Sequence, residues 1–112
     1  MTRAFITGRH EWGALIGLEH EGVPVLGILD QPILGERFVG GQGQAELLSK
    51  EGRLALRVRP CEDIAQAVLC ATDPSAYFNP SEQDAFGRVR AAARMTRFGG
   101  DCYIFGRSEE HT

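Results

Sequence analysis

A chain of 112 residues, 43% apolar and 24% charged, has the size and make-up of one compact globular domain. A domain of this length buries roughly two-thirds of its unfolded surface, enough for a real core. The formal charge of -3 gives no electrostatic basis for nucleic acid or an anionic membrane as partner. No apolar run reaches the roughly 20 residues of a membrane helix, and the opening residues lack the order of a secretory signal. Cys61, Cys70 and Cys102 are odd in number and have no zinc-type spacing, so they read as reduced thiols of a cytoplasmic protein.

The first half is rich in strand signals. Residues 12–18 (WGALIGL) alternate large and small side chains, which suits a strand packed on one face and crowded on the other. Residues 19–22 supply a turn in which Gly22 is free to take positive φ. Residues 23–30 (VPVLGILD) return, with Pro24 near the start where a missing N–H is tolerated. Gln31-Pro32 breaks the run. Residues 36–40, 45–48 and 54–58 then read as three further strands of an antiparallel meander.

Arg59-Pro60 punctuates the chain. Residues 62–66 fit a single helical turn, and the apolar run 67–72 reads as a strand buried on both faces. Asp73-Pro74-Ser75 ends it. The clearest helix follows, capped by Asn79 or Ser81, with Pro80 in its first turn and Glu82 and Asp84 near its positive end. Ala85, Phe86, Val89, Ala92 and Ala93 form its expected buried stripe. Arg88, Arg90, Arg94 and Arg97 read as an exposed face of mixed charge. Residues 95–98 form a short strand, and residues 101–105 begin as a helix. The expected fold is therefore α+β: an antiparallel sheet of about five strands (1–59), then a strand–helix–strand part (60–112), together one compact unit.

Several of these segments resemble the magnesium-dependent inositol-monophosphatase family. They are Phe5-Ile6-Thr7-Gly8, Trp12-Gly13, Asp30-Gln31-Pro32, Glu36-Arg37-Phe38-Val39-Gly40 and Gly99-Gly100-Asp101-Cys102-Tyr103. The Asp-Gln-Pro and Gly-Gly-Asp-Cys-Tyr runs point to its histidinol-phosphate phosphatase branch. The resemblance spans about residues 2 to 106 and implies the inner piece of a two-domain sugar-phosphatase-like fold. In that family, magnesium bridges the phosphate ester and activates a water. Its carboxylate ligands lie on a helix well before the matching region, in an Asp-Pro-Ile-Asp run just before it, and in a motif well after it. No acidic residue here occupies a matching position, so the resemblance implies no metal site, and no cofactor, for this chain alone.

Onto this sequence the resemblance carries four site residues. Thr2 matches the threonine that orients the attacking water, a task that needs fixed geometry. Gly99, Gly100 and Asp101 match the turn facing the organic part of the substrate, where Asp101 would pair with a cationic amine or else cap a helix. Read by themselves, Asp30 and Glu36 pair with Arg37 or cap turns rather than sharing a metal. His10 and His20 have no spaced partner. Cys102 reads as a buried structural thiol.

Three functional readings follow. The chain is a phosphomonoesterase relative that is inactive by itself, or a phosphatase completed by oligomerisation or by a partner chain, or a binding or assembly module. Apolar surface left by the family's flanking helices implies a homo-oligomer. A phosphorylated small molecule is the expected ligand, with no nucleic-acid or membrane partner.

Overall fold

The computed structural model of the chain describes residues 2–100 and 102–107, without the side chains of Thr2 and Ala4. The chain divides into two compact units. One comprises Met1–Arg59 with Gly100–Thr112, and the other Pro60–Gly99.

The first unit opens with a short helix, α1 (Thr2–Ile6), in which Phe5 meets Trp12 edge-on at 5.3 Å between ring centroids. Thr2 is the first residue of this helix. Five strands follow: β1 (Ala14–His20), β2 (Val23–Gln31), β3 (Glu36–Gly41), β4 (Gln44–Ser49) and β5 (Gly52–Ala55). They lie in sequence order, each antiparallel to the next. The meander follows from its turns. Glu21-Gly22 and Gln42-Gly43 each place two successive residues at positive φ, the geometry of a two-residue hairpin whose twist matches that of the strands.

Register builds the core. Leu29 stands opposite Phe38, and Phe38 opposite Leu47, so three buried side chains form a ridge across the middle strands. Leu56 and Cys102 complete it, with Ala45 and Tyr103 packed alongside. The last described helix, α4 (Tyr103–Arg107), lies on this ridge: Tyr103 meets Phe38 edge-on at 6.0 Å, and Gly106 is buried. The strand expected over 54–58 is observed earlier, at 52–55. Gly52 pairs with Ser49 across the tight turn, while Leu56 leaves the ladder but still donates its N–H to the Ala45 carbonyl at 2.9 Å.

The second unit holds a 3-10 turn (Ile64–Gln66) capped by Asp63, then β6 (Val68–Ala71), α2 (Pro74–Tyr77), α3 (Pro80–Ala92) and β7 (Met95–Phe98). β6 and β7 pair in parallel, Val68 with Met95 through Ala71 with Phe98. Asn79 caps α3 reciprocally: its side chain accepts from the Glu82 N–H at 2.8 Å, and Glu82 accepts from the Asn79 N–H at 2.9 Å. Phe78, Phe86 and Phe98 stack in a row at 5.5 and 6.2 Å, with the Arg90 guanidinium over the Phe98 ring.

Two expectations for this unit are corrected. No residue of α3 is buried, so the stripe from Ala85 to Ala93 is at most partly covered. In β6, Val68 and Cys70 are exposed rather than buried on both faces. The apolar patterns are real, but nothing among the described residues packs on them closely enough to close the core. A further helix, α2, was not anticipated, although Asp73 caps it and Pro74 takes its first position.

Candidate functional site

Of the residues carried over by resemblance, Gly99 and Gly100 are adjacent in a turn of left-handed backbone, with φ of 81° and 83°. The Gly99 N–H is shared between the carbonyls of Ala71 and Thr72, at 3.2 and 3.1 Å, which fixes the exit of β7 against the end of β6. Gly100 offers its carbonyl to the Ile104 N–H at 3.2 Å and so starts the helical turn that becomes α4. Thr2 opens α1, and its side chain lies outside the described atoms. Asp101 also lies outside the described residues.

The most tightly organised polar cluster of the first unit gathers on the β2–β3 connection. Gln31 is fully buried. Its amide donates to the His10 carbonyl, and its side-chain oxygen accepts from the Leu34 N–H at 3.0 Å. Both ends are thereby satisfied, as a buried amide requires. Two residues on from Leu29, Gln31 shares the inward parity of the core strand, and that parity was the signal for its role. Read as a strand breaker, it was missed.

Asp30 and Glu36 flank the same connection but do not act as a pair. Arg37 bonds Asp30 at 3.1 Å, as expected from the sequence. Glu36 instead accepts from the Tyr103 hydroxyl at 2.5 Å and lies 3.8 Å from Arg107. These partners are about 70 residues away in the chain, beyond the reach of any local pattern. Nearby, the Arg9 guanidinium bonds Glu11 at 2.7 Å and holds its carboxyl below the usual carboxylate range. Cys102 is buried, as its reading as a structural thiol required.

A magnesium ion needs several oxygen ligands, mostly carboxylates. Among the described residues, no three histidine, cysteine, aspartate or glutamate side chains come together as such a group. The described donor set therefore does not fit the ion.

One face of the five-stranded sheet carries an open apolar hollow of about 390 Å³. Leu15, Leu29, Phe38 and Phe105 are among its walls, and carbon dominates its lining.

Comparison with known proteins decides the family. The inositol monophosphatase family profile matches residues 2–104. The chain belongs to the inositol monophosphatase family. It is 38% identical over 104 residues to the chloroplastic bifunctional phosphatase IMPL2 of Arabidopsis thaliana, covering 93% of this chain and 29% of that protein. It is 28% identical over 102 residues to the histidinol-phosphatase of Chlorobaculum parvum, covering 91% of this chain and 38% of that one. Among solved structures, an inositol monophosphatase from Zymomonas mobilis superposes with a TM-score of 0.83 at 38% identity, over 95% of this chain and 40% of that chain. SuhB of Mycobacterium tuberculosis shares the fold, with a TM-score of 0.77 at 20% identity over 88% of this chain and 41% of that chain. The chain thus spans 29% and 38% of the curated relatives' lengths.

Proposed function

We propose that this inositol monophosphatase family chain forms the central part of a histidinol-phosphatase-like phosphomonoesterase fold and does not hydrolyse phosphate esters by itself. The observation that carries this reading is the engagement of the two carboxylates beside the β2–β3 connection. Asp30 is held by Arg37, and Glu36 by Tyr103 and Arg107. Both already serve contacts of the fold, no three such side chains gather among the described residues, and phosphoryl transfer of this family's kind rests on a metal held by such a group. The Gly99-Gly100 turn fits a ligand-facing role, because two successive glycines at positive φ carry no side chain of their own to shield the backbone. The substrate class is a small phosphate ester. Histidinol phosphate is favoured by the Asp-Gln-Pro and Gly-Gly-Asp-Cys-Tyr runs and by the similarity to histidinol-phosphatases. The exposed thiols of Cys61 and Cys70 fit the cytoplasm.

A second reading is favoured by the open apolar hollow on the sheet. There, a second copy or a partner chain covers that face and brings the missing carboxylates. Thermal unfolding separates the two, because a ligand that binds the native state must stabilise it. The first reading predicts an unchanged midpoint on adding magnesium with inorganic phosphate to the isolated chain. A rise of several degrees would establish the second.

A further inference from the structure

We infer that the cleft between α3 and the carboxyl ends of β6 and β7 is a binding site for a small aromatic carboxylate, anchored by Arg90 and given room by Gly87. The site does not rest on the phosphatase reading and stands whether or not the chain hydrolyses anything.

The cleft holds about 380 Å³, within the roughly 300–1,000 Å³ range of small-molecule sites. All its walls come from residues 72–98 of the second unit, and none from either end of the chain. One wall is the face of α3 made by Gln83, Phe86, Gly87 and Arg90, which their spacing of three and four residues sets side by side. The others are the connection from β6 to α2 and Phe98 at the end of β7. Parallel α/β units bind ligands at this place, outside the carboxyl ends of their strands.

Gly87 is the observation that calls for a ligand. It stands in the interior of a helix of 13 residues, where glycine costs stability relative to alanine. Its backbone is not left-handed, and a Cβ built there would meet nothing within 4 Å. Neither conformation nor packing within the described chain therefore requires a glycine. What its missing side chain leaves is open space in the wall of the cleft.

Arg90 supplies the charge. Its guanidinium lies 5.0 Å from the centre of the Phe98 ring and makes no ion pair among the described residues. Contact with the ring places the cation and leaves its N–H fork for an acceptor. Phe86 stands 6.2 Å from Phe98, so two ring surfaces are offered to a planar apolar body. Asp73 borders the cleft as well, but its carboxylate accepts from the Ser75 hydroxyl at 2.7 Å and from the Ala76 N–H at 3.3 Å. A phosphate would set nearly two negative charges near Asp73, with Arg90 as the one cation among the described walls. A carboxylate brings a single charge, and its two oxygens match the guanidinium fork.

Phenylacetate is the probe, titrated into the unmodified chain and followed by heteronuclear NMR. Saturable shifts are expected at the amides of Thr72, Ser75, Gly87 and Arg90, with a Kd on the order of 1 mM. Phenylacetamide has the same shape without the charge and is expected to bind about tenfold more weakly; Arg90→Gln is expected to weaken phenylacetate to the same degree. Gly87→Leu is expected to abolish binding by filling the cleft and to raise the urea midpoint, because leucine favours a helix over glycine. That variant decides the matter if Arg90→Gln does not fold. No saturable shift with phenylacetate, equal binding of phenylacetamide, or undiminished binding to folded Gly87→Leu would overturn the proposal. So would a lowered urea midpoint for Gly87→Leu, which would mean that packing requires the glycine, or a preference for phenyl phosphate over phenylacetate.

Discussion

Gly106 lies flat against the ring of Phe38: a Cβ at position 106 would come within 2.8 Å of that ring. Helix α4 can approach the Leu29–Phe38–Leu47 ridge this closely because its contact residue has no side chain. Gly106→Ala therefore forces the helix or the ring to move, at a cost of about 1–3 kcal/mol. Denaturant unfolding measures it. The loss should shrink when Phe38→Leu is added, since the smaller side chain leaves room. Equal loss in both backgrounds would mean that the close approach is not what matters.

Gln31 ties the segment around His10 to the β2–β3 connection through two hydrogen bonds in a fully buried place. Gln31→Ala strands the His10 carbonyl and the Leu34 N–H together, and the expected loss is about 1–3 kcal/mol. Hydrogen exchange should show the Leu34 amide among the positions that lose protection. A loss below half a kcal/mol would show that water replaces the side chain.

The sheet was legible because it is local. Alternation in residues 12–18, the returning run 23–30, and the glycine turns at Gly22 and Gly43 specify neighbouring strands without help from the rest of the chain. The cap of α3 was equally local and was found. Burial was not legible in this way. The stripe from Ala85 to Ala93 and the apolar run 67–72 have the patterns of buried elements, yet α3 has no buried residue and Val68 and Cys70 are exposed. Pattern reports which face prefers a partner, and the partner itself lies outside the pattern. The polar cluster failed for a related reason. Glu36 and Tyr103 meet through the return of α4 to the first sheet, which no short motif encodes. Of the residues carried over by resemblance, Gly99 and Gly100 take positive φ, a conformation that glycine itself announces.

The Glu36–Tyr103 hydrogen bond is charge-assisted and half-buried. A double-mutant cycle of Glu36→Gln and Tyr103→Phe should give a coupling of about 1 kcal/mol, larger than an exposed ion pair such as Asp30–Arg37 supplies. Additive losses would show that the two groups are adjacent without being bonded.

Gly99 and Gly100 adopt left-handed backbone, which costs a residue with a Cβ about 1–2 kcal/mol. At Gly100 the added carbon would also press on Ile104 at 3.2 Å. Gly100→Ala is expected to destabilise more than Gly99→Ala, read from their urea midpoints. The reverse order would mean that the shared Gly99 N–H is the more sensitive part of the turn.

The most direct test of the central claim is phosphate release from histidinol phosphate and inositol 1-phosphate, with and without magnesium, beside the Zymomonas mobilis inositol monophosphatase as a positive control. The account predicts that this chain, folded and alone, releases no phosphate above the blank at any magnesium concentration. Magnesium-dependent turnover by the isolated chain would contradict it, and the carboxylates would then have to be sought between copies.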